Sequence, residues 1–246
     1  MIKMKKVAFV SGSTRGVGLS IATSLVNAGY VVYINGRDAE TVNKIAKELN
    51  VHPIVADMTN ESQLELALEK IMLEQSQLDL VVANVGSGKS MLGWDIPLSE
   101  YQRIFDLNFF STVLLATKAA KHMQKNGGHI IGIASIAGCE SIGAPLPYMA
   151  AKTAVLSYLK GLSDVLAPKI RVNAISPGNM LTVGGTWDSR NQQDPSAVKE
   201  YLNNHVPLKQ FVEIDNIANT VLFLDRNSSI TGSNIVVDGG QIRKIV

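Results

Sequence analysis

Short apolar blocks alternate with longer amphipathic segments along the whole chain, and this rhythm constrains the fold more than any single residue. The blocks KVAFVS, YVVYIN, HPIVAD, DLVVAN, HIIGIAS, IRVNAIS and NIVVDG read as strands. Between them lie helix-period stretches: one through Leu25, then Ala39 to Leu49, Glu61 to Gln75, Ser99 to Met123, Tyr148 to Leu166 and Ile214 to Leu224. Blocks such as DLVVAN are apolar throughout, whereas a strand with one wet face would alternate with polar residues. Such strands belong to a parallel sheet covered by helices on both sides. The expectation is an α/β protein built on a doubly wound, Rossmann-type parallel sheet of about seven strands. No linker-like stretch divides the sequence, so residues 1–246 are expected to form one domain.

Composition narrows the function. With 46% hydrophobic and 18% charged residues the chain can bury a large core. Its net charge of +2 is scattered, with no dense basic block, which argues against nucleic acid or a membrane surface as partner. After MIKMKK the apolar run VAFV is too short for export, and no run approaches a membrane span, so a cytoplasmic protein is expected. Cys139 is the single cysteine and cannot form an internal disulfide. His52, His122, His129 and His205 have no metal-ligand spacing with it, so no metal is expected. One long stretch, Asn179 to about Ala197, lacks periodicity and reads as a loop.

The segment VANVGSGKS contains GSGKS, a fragment of a phosphate-binding loop. The full pattern G-x-x-x-x-G-K-[ST] needs a first glycine so that backbone amides can curl around phosphates. Counting back from Gly88-Lys89-Ser90, that position is Ala83, which argues against ATP chemistry.

A better phosphate site follows the first strand. SGSTRGVGLS places Gly12, Gly16 and Gly18 in a strand-to-helix turn, where glycines permit a sharp bend and let a pyrophosphate reach the helix N-terminus. The end of the second strand then discriminates between cofactors, an acid binding a ribose 2′-hydroxyl and a base a 2′-phosphate. Here Gly36-Arg37-Asp38 follows YVVYIN. Arg37, with Arg15 from the glycine loop, favours NADP(H) over NAD(H). In the alternative, Arg37 serves loop structure and Asp38 takes the ribose.

A second constellation is Tyr148 and Lys152 in PLPYMAAKTAV, with Ser135 closing HIIGIAS. Positions i and i+4 share a helix face, so phenol and ammonium can approach. Tyrosine ionises near pH 10, and a neighbouring cation would bring that value toward neutrality. Taken singly, a Y-x-x-x-K pair is equally an amphipathic helix with a snorkelling lysine.

Together, the glycine loop, Ser135, Tyr148 and Lys152, in this order, resemble the short-chain dehydrogenase/reductase family over nearly the whole chain. The resemblance extends to Asp57 after the third strand, Asn84-Val85-Gly86 after the fourth, Asn108 in DLNFFS, Pro177-Gly178 with Thr182 after the sixth, and ITGSNIVVDGG. Ala83 and Val85 depart from the family's N-N-A-G, which affects side-chain contacts and spares backbone ones. LFLDRNSSITG is shorter than usual before ITG.

The resemblance implies that Tyr148 exchanges a proton with a carbonyl or alcohol oxygen while hydride moves to or from the nicotinamide. It implies that Ser135 holds that oxygen, that Lys152 lowers the tyrosine's pKa and binds the nicotinamide ribose, and that Asn108 holds a relay water. The cofactor would be met by Gly12, Ser13, Thr14, Arg15, Gly16, Val17 and Gly18 at the phosphates and Arg37 at the 2′-phosphate. Asp57 and Met58 would meet the adenine and Thr182 the carboxamide, with Asn84, Val85, Gly86, Tyr148, Lys152, Pro177 and Gly178 also binding the cofactor.

Specificity would come from Ser87 to Pro97, Cys139 to Pro147 and a substrate loop at about 179–204, which carry Lys89, Trp94, Trp187 and Arg190. Many family members reduce 3-oxoacyl thioesters on an acyl carrier, and others act on sugars or small ketones. The resemblance also implies a homotetramer or homodimer with Ser99 to Met123 and Tyr148 to Leu166 at one interface. A non-catalytic NADP(H)-binding sensor is the reading from another class.

Overall fold

The computed structural model describes residues 5–244; Met1 to Met4, Ile245 and Val246 lie outside the described residues, including most of MIKMKK. Seven strands form one sheet in the order β3-β2-β1-β4-β5-β6-β7. They are Val7–Val10, Val31–Gly36, His52–Val55, Leu80–Ala83, Gly128–Ile133, Ile170–Pro177 and Asn234–Val237, numbered β1 to β7, and every pairing is parallel. The order reverses between β1 and β4, and a doubly wound sheet opens its ligand crevice at such a point, beyond the carboxyl ends of the strands.

Each strand feeds both faces of the sheet. In β1, Val7 and Phe9 join the larger core cluster while Ala8 and Val10 join the other. Helices α3 (Glu61–Gln75), α5 (Ser111–Met123) and α6 (Leu146–Leu166) cover the first face with Leu68, Leu115 and Leu159. Helices α1 (Gly16–Asn27), α2 (Ala39–Leu49) and α9 (Ile214–Arg226) cover the second with Leu25, Ala46 and Val221. Each fully buried leucine contributes roughly 1.5–3 kcal/mol by leaving water. Among the described residues no helix is long and apolar enough to cross a membrane.

Two expectations about local structure are corrected. The single helix expected over Ser99 to Met123 is α4 (Leu98–Phe105) and α5 joined by a π-helical turn, Asp106–Phe110, which carries the buried Asn108. The stretch read as a loop from Asn179 to Ala197 holds α7 (Thr186–Gln193) and the start of α8 (Pro195–His205). Asp194 caps α8 by accepting from the Ala197 amide at 2.9 Å, and Pro195 occupies its first turn. These helices pack on a small core of their own, with Val198, Leu202 and Val206 beside Trp187, Tyr201 and Phe211.

At the amino edge of the sheet, a buried polar network ties distant segments together. Asp225, near the end of α9, accepts from the Lys6 amine at 2.8 Å and from the Tyr30 hydroxyl. Its other oxygen lies 3.3 Å from Nδ1 of His129. Asn173 and Arg171 border that imidazole: Asn173 Oδ1 accepts from the Ser233 amide, its Nδ2 donates to the Ile230 carbonyl and lies 2.9 Å from His129 Nε2, and the Arg171 guanidinium stands 3.0 Å from His129 Nδ1. Burial opposes the charge on Asp225, and the bonds from His129, Lys6 and Tyr30 outweigh it, holding the carboxyl well below its ordinary range. Burial likewise keeps His129 neutral, pushing its pKa down.

Asp225→Ala would remove the acceptor shared by the buried His129, the half-buried Tyr30 and the exposed Lys6, so the expected outcome is a loss of about 2–3 kcal/mol in urea unfolding. A change below roughly 1 kcal/mol would show that the network adds no more than an exposed ion pair.

Candidate active site

Two glycines bring the central residues together. A Cβ on Gly132 of β5 would stand 2.3 Å from Leu159 Cδ1, so α6 lies directly on that strand. A Cβ on Gly138, in the 3-10 turn Ile136–Gly138 after β5, would stand 2.7 Å from the main-chain carbonyl of Lys152. Ser135 caps this turn, its hydroxyl accepting from the Ala137 amide at 3.2 Å. The Tyr148 phenol, near the start of α6, neighbours this hydroxyl. One helical turn on, Lys152 is buried, donates to the Ile133 carbonyl at 2.8 Å and places its amine 5.9 Å from the centroid of the Tyr148 ring.

Burial raises the Tyr148 pKa, and the bond from Ser135 works against that rise. The ammonium is itself disfavoured by burial, which brings Lys152 down to about 8. Its proton points at a strand carbonyl rather than at the phenol.

The segment after β4 crosses this group. A Cβ on Gly86 would lie 2.7 Å from Asn108 Oδ1 and 3.4 Å from the Lys152 amine. Asn108 accepts from the Ser87 amide at 2.9 Å and donates to the Ser87 and Ile104 carbonyls. Its side chain is therefore committed to the main chain of this segment, as a satisfied helix amide would be. GSGKS is held as an irregular loop, with no helix following the lysine.

The glycine loop between β1 and α1 hangs from buried amides. Gly12 and Gly16 take left-handed φ of 59° and 54°, and a Cβ on Gly18 would meet the Gly12 carbonyl at 2.4 Å. Asn35 Oδ1 accepts from the Gly12 amide, while its Nδ2 donates to the Ile54 and Ala56 carbonyls. Asn84 Nδ2 donates to the Ser11 and Gly12 carbonyls. The Ser13 hydroxyl is also occupied, donating to Val10 and accepting from the Asn35 amide. Thr14 packs its methyl over Gly36, Val85 packs against Gly12, and Val17 joins the core of the second face. Arg15 stands exposed at the N-cap of α1; no side chain caps the helix and its first turn holds no acid. An anion fits there, because the first amides and the helix dipole have no competing partner.

The remaining predicted cofactor residues divide. Arg37 is exposed, 3.8 Å from Asp57. Burial pushes the Asp57 carboxyl up, and hydrogen bonds from the Thr59 amide and hydroxyl with the nearby Arg37 outweigh it, leaving it lowered. Asp38 caps α2, accepting from the Thr41 amide at 2.8 Å. Met58 is buried in the larger core cluster, so only its main chain faces outward chemistry. Pro177 ends β6, Gly178 packs on Asp238, and the Thr182 methyl lies 3.7 Å from the Cβ position of Gly16, across the glycine loop. Trp187 donates to Asn179 at 2.9 Å and stacks with Arg190, while Lys89 and Trp94 are exposed.

Asn35 and Ser11 went unnoticed in the sequence. Ser11 accepts from the Asn84 amide and donates to the Val82 carbonyl. The available signal was an asparagine inside the otherwise apolar YVVYIN, since a buried amide needs partners.

The family model described as "Enoyl-(Acyl carrier protein) reductase" matches residues 12–241. A 3-oxoacyl-[acyl-carrier-protein] reductase from Aquifex aeolicus is 30% identical, with 96% of each chain covered. Among solved structures, a short-chain type dehydrogenase/reductase from Mycobacterium marinum superimposes with a TM-score of 0.88 at 30% identity, over 96% of this chain and 95% of that one. A 7α-hydroxysteroid dehydrogenase complexed with NADH and 7-oxo glycochenodeoxycholic acid gives 0.88 at 27% identity, covering 97% and 95%. With the crevice at the strand reversal, the glycine loop under α1 and the Ser135–Tyr148–Lys152 group beside it, these matches make the chain a short-chain dehydrogenase/reductase, an oxidoreductase of the type that includes the 3-oxoacyl-carrier reductases.

Proposed function

We propose that this oxidoreductase is an NADP(H)-dependent carbonyl reductase or alcohol dehydrogenase with Tyr148 as its proton donor and acceptor. The observation that carries the reading is the grouping of Tyr148 with the buried Lys152, whose amine lies 5.9 Å from the phenol ring's centroid, and with Ser135 just past β5, in a sheet whose order reverses beside it. The α1 N-terminus and the amides of residues 12–18 would seat the pyrophosphate, and Arg15 with Arg37 the 2′-phosphate. The adenine would lie by Asp57 and the main chain of Met58, and the nicotinamide side by Asn84, Val85, Gly86, Pro177, Gly178 and Thr182. Bound there, the nicotinamide supplies or accepts the hydride.

Tyr148 holds the transferable proton, and Ser135 orients the substrate oxygen toward it. Lys152, protonated below about pH 8, would turn from the Ile133 carbonyl to ribose hydroxyls and lend its charge to the phenolate that forms. Asn108 holds the segment around Ser87 against this group. Cofactor choice rests on Arg37: Asp38 is spent on capping α2, while the exposed Arg37 guanidinium, 3.8 Å from Asp57, stands at the end of β2. A 3-oxoacyl thioester is a candidate substrate, and a keto-sugar is the alternative. A homotetramer would place the exposed outer face of α6, with Ala150, Ser157 and Gly161, against a second copy.

Three outcomes are expected. In an NADPH-oxidation screen over 3-oxoacyl thioesters, keto-sugars and simple ketones, Tyr148→Phe lowers turnover by about 100-fold or more while NADPH affinity stays within about threefold; unchanged turnover would remove Tyr148 from the mechanism. The kcat/KM for reduction falls above about pH 8, because the depressed Lys152 loses its proton there while the raised phenol keeps its own. A profile flat to pH 10 would show that the lysine's charge is not used. Arg37→Asp weakens NADPH by roughly tenfold and NADH little, and equal losses measured by fluorescence titration would place the 2′-phosphate elsewhere.

A further inference from the structure

Beyond β7 the chain runs from helix α8 to the turn that carries Ser135, and it is fixed at both. The buried Asp238 accepts from the Gly240 amide at 2.8 Å and the Ile242 amide at 2.7 Å, which wraps residues 238–242 around one carboxylate. The Gly239 carbonyl accepts from the Leu208 amide at 3.1 Å, just after α8, and the buried Gln241 donates to the hydroxyl of Tyr201 in that helix, also at 3.1 Å. Two residues on, the segment reaches Glu140. A single carboxylate oxygen there, Oε2, accepts from the Arg243 amide at 2.9 Å and the Lys244 amide at 3.3 Å, and the Lys244 amine donates to the Cys139 carbonyl at 3.4 Å.

Glu140 is where this strap meets the candidate site. Its own amide donates to the Ile136 carbonyl at 3.0 Å, closing the turn that begins at Ser135, and Thr153 of α6 donates to the Gly138 carbonyl in the same turn at 3.2 Å. Residues 141–145 then run as an irregular loop into α6 and Tyr148. The thiol of Cys139 faces the sheet from this turn: its Sγ lies 3.6 Å from Ser176 Oγ on β6 and accepts from Asn234 Nδ2 on β7 at 3.3 Å. Lifting the turn from these strands would uncover the thiol further.

We infer that Glu140 is a positioning residue: by gripping the amides of Arg243 and Lys244 it ties the Ser135 turn to α8 and holds the serine in place against Tyr148. The fastening rests on the bonds alone, and its effect on catalysis rests on the reductase reading above. Two amides share one oxygen, so the grip needs an acceptor at residue 140 and not a charge.

The test compares the parent with Glu140→Ala, which removes the acceptor, Glu140→Gln, which keeps an accepting oxygen, and Arg243→Pro, which removes one donor. Arg243 is exposed, so its variant serves should Glu140→Ala fail to fold. The first readout is the rate at which Cys139, the chain's one cysteine, reacts with iodoacetamide under native conditions. Glu140→Ala and Arg243→Pro are expected to react about tenfold faster than the parent and Glu140→Gln within about threefold of it, while the double variant Glu140→Ala/Arg243→Pro reacts no faster than Glu140→Ala, because both changes undo one fastening. The second readout is kinetic, with ethyl acetoacetate as the carbonyl probe. Glu140→Ala raises KM for this ketone about fivefold or more and leaves KM for NADPH within about twofold, and Glu140→Gln restores the parental values; fewer folded molecules would lower kcat alone. Equal thiol rates in all variants, a rate in Glu140→Gln as high as in Glu140→Ala, or a kinetic loss confined to kcat would each overturn the inference. Thiol rates that follow the fastening while the parent consumes no NADPH would leave the strap standing and remove the reductase reading.

Discussion

The contact of α6 with β5 is the constraint on which the site depends. The helix carries Tyr148 and Lys152, and the strand delivers Ser135. They converge because Gly138 lets the turn after β5 approach the main chain of Lys152, and Gly132 leaves room on the strand for the Leu159 side chain. Interiors packed this tightly do not deform smoothly. A methyl group at Gly138 would press on the Lys152 main chain and disturb the bond from its amine to the Ile133 carbonyl. Burial in this dry setting brings the lysine down to about 8.

A second constraint concerns what remains free to bind. Ser13, Asn84 and Asn108 each have side chains committed to main-chain groups, and Met58 lies in the core. The surface left beside the crevice is largely backbone, held in shape by buried amides such as Asn35. A site made of main-chain groups tolerates substitutions that preserve the path of the chain. This accounts for the alanine and valine in VANVG: Ala83 is buried in β4, and the Val85 side chain packs on Gly12.

Elements with one dominant periodicity were legible in the sequence. Helices Ala39–Leu49 and Glu61–Gln75 fall at the residues their patterns indicate, because the capping residues Asp38 and Asn60 agree with the apolar stripe. The π turn was not legible, since a helix that widens for one turn keeps its apolar pattern on both sides. Helix α7 was missed for the opposite reason: TWDSRNQQ has no apolar stripe, and what holds it is Trp187 packing against Tyr201 and Phe211, which are far along the chain. In the site, residue identities followed from the family pattern, whereas the direction of the Lys152 proton followed only from three dimensions. An i, i+4 spacing puts two side chains on one face without saying which acceptor each will choose.

The two edges of the sheet divide the work. At the amino edge the polar groups are matched: Asp225 gathers Lys6, Tyr30 and His129, and Arg171 donates to the last carbonyls of α9. At the carboxyl edge they are left open, with an uncapped α1, an exposed Arg15, and buried atoms on Asn179 and Gln241 that have no partner among the described residues. Unmatched polar groups cost stability wherever they are buried, so they persist where the rest of the fold can offset that cost. Matching one edge fully is what permits the other to stay open, and an open edge of amides and cations beside a phenol is suited to an anionic dinucleotide and a carbonyl.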